Sequence, residues 1–233
     1  METTIQAPSG RRLVVRFGSE AETLNVAAFG YFAGPGQSVK IMIGGPGYFE
    51  ASRQDPDFRP SVVVAREVFQ GLEMVTARHE KGTNVLVGVL GPYHEVVYAV
   101  GGPSPSMEQL RAALMRFDFR DEPSGMLVDP AGSSDLIQVG ENVDISFSNG
   151  FDLSVSDPEA GRKLLPEFSG ATTQYGEMWK EIVSFGDDAA MEYLKLILGC
   201  PTATGELVLH DEREERQNDA VKWLSEVSLA WEV

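Results

Sequence analysis

Cysteine is almost missing from this chain. A single thiol, Cys200, stands among 233 residues. No disulfide can form within the chain, so a hydrophobic core must hold the fold. Long apolar runs are missing too: none approaches the roughly 20 residues that cross a bilayer as a helix. The first residues, METTIQAPSGRR, show no basic start followed by an apolar stretch, so a secretory signal is not expected. These absences together predict a soluble, cytoplasmic protein without membrane insertion.

Histidine is scarce, and its spacing excludes common chemistry. His79, His94 and His210 lie far apart, and none has another histidine or cysteine at ligand spacing. His210-Asp211 and Asp187-Asp188 read as a solvated strand end and a helix cap. The G-x-S-x-G elbow and the G-x-G-x-x-G fingerprint are both absent. Cys200 stands between Gly199 and Pro201, with no basic neighbour in sequence to lower its pKa, and reads as a packed, inert thiol. No catalytic residue, metal or cofactor is therefore assigned. A rival reading makes the chain a small-molecule enzyme that uses His79 or His94 beside a carboxylate. Its mark would be a deep pocket lined by a histidine hydrogen-bonded to that carboxylate. A third reading is a structural subunit of a larger assembly.

Positive charge is also short. Lys and Arg number 19 against 35 Asp and Glu, a net charge of −16. The imbalance is concentrated: residues 131–233 hold 7 of the former and 20 of the latter, a balance of −13, against −3 for the first 130. Such a segment repels phosphate and anionic lipid, which argues against nucleic acid and favours a basic protein surface as partner. The densest acids, Asp211, Glu212, Glu214 and Glu215, are candidate contacts, although DEREER also reads as a solvated helix face. All three tryptophans, Trp179, Trp223 and Trp231, fall in the same segment. They read as core residues, or, for Trp179 and Trp223, as an aromatic docking cluster rimmed by acids.

What the chain has in quantity is strand pattern. RRLVVRF, TLNVAAFGYF, SVKIMI, SVVVAREVF, LEMVTARHE, NVLVGVL and EVVYAV follow at about ten-residue spacing with turn chemistry between them. In LEMVTARHE both alternate faces carry apolar residues, which predicts a strand covered on both sides. SMEQLRAALMRF then spaces Met107, Leu110, Leu114 and Phe117 helically, with Ser106 and Gln109 placed for a capping box. FDF and GMLVDP read as closing strands, and DPAGSSD at 129–135 as a boundary between domains 1–130 and 131–233.

Beyond the boundary, DLIQVG, VDISFS, FDLSV, ELVLH and SLAWEV read as strands. Asp157-Pro158 opens a helix, and EREERQNDAVKWLSEV is an amphipathic one. QYGEMWKEIVSF and DDAAMEYLKLIL also read as helices, the second with a stripe of Met191, Leu194, Ile197 and Leu198 stopped by Gly199 and Pro201. The expected fold class is α+β: an antiparallel meander packed by a helix, then a mixed and more helical acidic half. Both halves end in a helix followed by an aromatic strand, so the relation of the two, duplication or single domain, stays open.

The stretch IMIGGPGYFE invites a phosphate-loop reading. That chemistry needs glycines ahead of a helix whose free N–H groups meet the anion. Here the following YFEASRQDPDFRP carries two prolines and no helical stripe, so the glycines are expected to turn the chain. Tyr48, Phe49 and Phe58 in that long connection are expected to be exposed and to contact a partner.

From about residue 11 to 128, the strands VVVAREVFQGLEMVTARHE, NVLVGVL and EVVYAVGG, the helix SMEQLRAALMRF and its trailing FDF resemble the PsbP-like fold family. The resemblance implies a non-enzymatic scaffold that holds another protein. The expected function is thus that of a cytoplasmic adaptor or chaperone-like protein whose acidic half docks a basic partner.

Overall fold

The structure is a computed structural model that describes residues 1–232 except 57, 60, 83, 102–104, 185–191 and 210–212. The chain opens with β1 (Glu2–Gln6), β2 (Arg12–Arg16), the long β3 (Thr23–Gly34) and β4 (Gln37–Gly44), followed by a five-residue helix, α1 (Tyr48–Ser52). Four strands follow: β5 (Ser61–Phe69), β6 (Leu72–His79), β7 (Asn84–Leu90) and β8 (Glu95–Gly101). Helix α2 (Met107–Leu114) leads to β9 (Phe117–Glu122) and β10 (Gly125–Pro130). Then come β11 (Ile137–Phe147), β12 (Asp152–Ser156) and helix α3 (Pro158–Leu164). The remainder is β13 (Ala171–Thr172), β14 (Glu177–Ser184), β15 (Glu192–Gly199), β16 (Thr204–Leu209), α4 (Glu214–Ser225) and β17 (Ser228–Glu232).

This corrects the expected fold class. Strand takes 54% of the described residues and helix 15%, so the fold is mostly antiparallel sheet and not a helix-rich α+β. Both helices expected within 174–198 are strands. EMWKEIVS is β14 and EYLKLILG is β15, and the two pair along their lengths from Glu177↔Gly199 to Ser184↔Glu192. The caps Asp187 and Asp188 and the stripe residue Met191 lie outside the described residues. The rest of the stripe fails for a physical reason: Leu194, Leu196 and Leu198 share one face of β15, while Ile197 is buried on the other. A strand covered on both sides carries the same near-continuous apolar run as a buried helix.

Contacts group the chain into two compact units that are not sequential. One comprises residues 1–5, 11–26 and 142–233, the other 6–10 and 27–141. The second unit holds the run β4-β8-β7-β6-β5 and the hairpin β9–β10. The reading of β6 as doubly covered holds: Met74, Val75, Thr76 and Ala77 are all buried. On one face Val75 and Ala77 join Leu86, Val97 and the α1 residue Phe49 in a cluster against which Phe58 and Val63 pack. On the other face α2 is tied down by an Arg111–Glu67 ion pair of 2.9 Å, and Arg78 donates to the Pro105 carbonyl at 2.7 Å. The capping box of α2 forms as expected. Gln109 N–H donates to Ser106 Oγ, and Ser106 N–H to the Gln109 side chain.

The first unit holds the run β13-β14-β15-β16-β12 and the small sheet β1-β2-β17. One face of the larger run carries Leu153, Val155, Leu194, Leu196 and Leu207, continued by Val143, Ile145 and Phe147 of the end of β11 paired with β12, all buried. Phe147 stands edge-on to both Phe17, at 5.0 Å, and the α4 residue Trp223, at 4.9 Å. On the opposite face α3 packs over β12 and β16, and its N-terminus is capped by Asp157, which accepts from the N–H groups of Glu159 and Ala160. Proline at the first helical position suits that start. Among the described residues no helix is long and apolar enough to cross a membrane.

Candidate functional site

The GGPG stretch turns the chain, with Tyr48 N–H donating to the Gly45 carbonyl at 3.1 Å. The helix denied to it is nevertheless there, since α1 starts directly after Gly47. Gly47 sits at φ 89°, a left-handed conformation glycine adopts without penalty. The N–H groups that could meet an anion already have one from the protein. Glu95 Oε1 accepts from Gly47 N–H at 2.9 Å and Oε2 from Phe49 N–H at 2.7 Å. The turn is therefore a device for placing Phe49 in the core.

That corrects the expected exposure of the segment. Phe49 is 1% exposed, and its ring lies so close over Gly88 that a Cβ there would stand 2.6 Å from it. Tyr48 and Phe58 are half-buried and pack on the same cluster. Trp179, Trp223 and Trp231 are buried as well, which makes all three core residues rather than an exposed docking cluster. Trp179 Nε1 donates to the Phe168 carbonyl and Trp231 Nε1 to that of Ser156. Glu214 and Glu215 are exposed in the first turn of α4, while Asp211, Glu212 and His210 lie outside the described residues.

The histidines of the enzyme reading are occupied. His79 Nε2 donates to the Arg59 carbonyl at 3.0 Å, and its Nδ1 accepts from Lys81 N–H at 3.1 Å. His94 does meet a carboxylate, with Nδ1 2.8 Å from Asp121 Oδ1. Asp121, its side chain 2% exposed, also accepts from the backbone N–H groups of Tyr93 and His94. The pair clamps the β7–β8 turn, and neither cleft described below includes it.

Both clefts belong to the first unit. The smaller, about 430 Å³, runs along α4 between Asp219, Lys222 and Glu226 and has Trp223 in its lining. Its charges are mixed. Arg216 there is held over the Phe151 ring at 3.9 Å and donates to the carbonyls of Asn149 and Gly150.

The larger, about 670 Å³, is a groove on the polar face of the sheet. Register builds it. Asp144 opposes Ser154, which opposes Glu206; Ser146 opposes Asp152; and Lys195 opposes both Val208 and Glu181. Lys195 Nζ and Glu206 Oε1 form a close ion pair in the floor, with the two side chains 23% and 20% exposed. That pairing spends the one cation among the groove's described residues on one carboxylate and leaves Asp144 and Asp152 to set its sign. Val183 and Val208 add apolar wall. Among the described residues the lining contains no histidine or cysteine, and its two serines are Ser146 and Ser154.

None of these groove residues stood out in the sequence. VDISFS and FDLSV were legible as strands, and their alternation of Asp and Ser with apolar residues marks a polar face. Lys195 was hidden because its strand read as a helix, which destroys the parity that puts it beside Glu206. Compared with known proteins, the chain matches no family model, no curated protein and no solved structure.

Proposed function

We propose that this chain is a non-enzymatic binding protein, an adaptor or chaperone-like molecule, whose acidic part docks a basic partner in the sheet groove. The observation that carries this reading is the groove itself. It is a concave surface of about 670 Å³ whose unneutralised charges are carboxylates and whose wall is partly valine. A lysine- or arginine-bearing segment with apolar residues between its charges matches both features. The balance of −13 over residues 131–233 adds a long-range field that speeds encounter with such a partner.

The test uses the paired reversal Asp144→Lys with Asp152→Lys. Both residues stand on the solvent side of their strands, so folding should survive. Association with a basic partner captured from the native cell is then followed at rising salt. The association rate should fall steeply with salt in the parent chain and drop at least tenfold in the variant, because close complementary charges act chiefly on encounter. A rate indifferent to both changes would leave the acidic surface with solubility as its only role.

A further inference from the structure

The first unit leaves a sheet edge open next to the groove. β13 pairs with β14 only at Ala171↔Met178 and Thr172↔Glu177. Among the described residues nothing pairs with the outer side of β14 from Trp179 onward, although the strand runs to Ser184. Its backbone N–H and C=O groups there form a template for another strand.

Side chains on this stretch say what kind of strand fits. Glu181 and Val183 lie on the groove face, since Glu181 opposes Lys195 and Val183 lines the groove. Lys180 and Ile182 lie on the other face, and Ile182 is 58% exposed. Neither Glu181 nor Lys180 has an ion-pair partner among the described residues. A second copy of this strand fits poorly in two of the face-matched registers. With faces matched, an antiparallel two-fold centred on Glu181 sets two carboxylates against each other, and one centred on Lys180 sets two ammonium groups together.

We propose that the partner binds by strand addition. An extended segment pairs with the open edge of β14, with lysine or arginine on the groove side, against Glu181 at the groove's margin. Apolar residues occupy the other side, against Ile182. Main-chain hydrogen bonds supply affinity and the alternation of side chains supplies selectivity. This rests on the reading of the groove as the site for a basic partner, and adds the conformation and pattern of the segment of that partner that docks at its margin.

The experiment titrates the full chain with a ten-residue peptide alternating lysine and valine. A matched peptide carries N-methyl groups on alternate residues, which removes its donors on one edge and keeps its charge. Fluorescence anisotropy reads affinity, and amide exchange by NMR reads residues 179–183. The parent peptide is expected to bind and to protect amides in that stretch. N-methylation should weaken binding by about tenfold or more, since each lost hydrogen bond contributes about a factor of ten at most in water and several are lost together. Glu181→Lys should weaken the parent peptide as well. Equal affinity for both peptides would overturn strand addition and leave charge-driven docking standing. Absence of binding by either would overturn the docking reading, and this inference with it.

Discussion

Glu95 shows how a single side chain can fill a site that the sequence seems to offer to a ligand. Its carboxylate bridges the N–H groups of Gly47 and Phe49, so the glycine-rich turn is satisfied from within and Phe49 is fixed over Gly88. Glu95→Ala should therefore destabilise the second unit by about 1–2 kcal/mol, the range for losing a helix cap made by a partly exposed charged acceptor. Urea unfolding measures it, and an unchanged midpoint would mean that water replaces the carboxylate without loss.

Cys200 gives a second prediction at the same scale. Burial pushes its thiol pKa up, against a weaker opposing bond from the Leu229 backbone, and burial raises the Tyr98 phenol in the same way, with Arg116 opposing. In both cases the folded state holds its proton longer than the unfolded state. Stability is therefore complete below the ordinary thiol pKa of about 8.5 and falls as pH rises above it, then falls further above the ordinary phenol value of about 10. Unfolding midpoints taken across this range should decline, and Cys200→Ala should flatten the first part of the decline. A midpoint that rises with pH would contradict the burial argument.

At the scale of elements, capping was the most legible feature. Ser106 and Gln109 make the reciprocal box their spacing announces, and Asp157 with Pro158 opens α3. Such signals are local: they depend on a few consecutive residues and the four free N–H groups every helix start must satisfy. Ser106→Ala should cost about 1 kcal/mol, and circular dichroism should show the loss as a lower unfolding midpoint with unchanged native signal. A native spectrum altered at the outset would mean that the cap directs the fold rather than trimming its stability. The two elements misread, β14 and β15, carry no caps among their described residues. Their apolar periodicity fits a helix as well as a strand covered on both sides. What decides between them is the presence of β16 and Leu207 on one flank and Trp179 on the other, which lie distant in sequence or on a neighbouring strand.

For the whole molecule, charge is the dominant fact. With 35 acids against 19 bases the chain repels itself at low ionic strength. Adding salt from about 10 to about 200 mM, which shortens the Debye length from about 30 Å to under 10 Å, should raise Tm by about 2–4 °C, the shift that roughly 1 kcal/mol produces at this size. A fall in Tm would mean that surface ion pairs such as Arg66–Glu73 and Arg120–Asp129 outweigh the repulsion.

The sequence by itself determined the strands of the first half other than β1, helices α2, α3 and α4, the acidic asymmetry, and the absence of familiar catalytic and metal-binding patterns. Each of these depends on neighbours within one or two turns of chain, or on simple counts. Tertiary structure decided the rest. It buried Phe49, Trp179 and Trp223, turned two apparent helices into strands, and returned residues 1–5 and 11–26 to the C-terminal part. It also assembled the groove, because cross-strand register alone brings Asp144, Ser154 and Glu206 into one row. Register is set by packing on the buried face, where a one-residue slip would expose the whole apolar set, and that choice is not written in any single stretch of sequence.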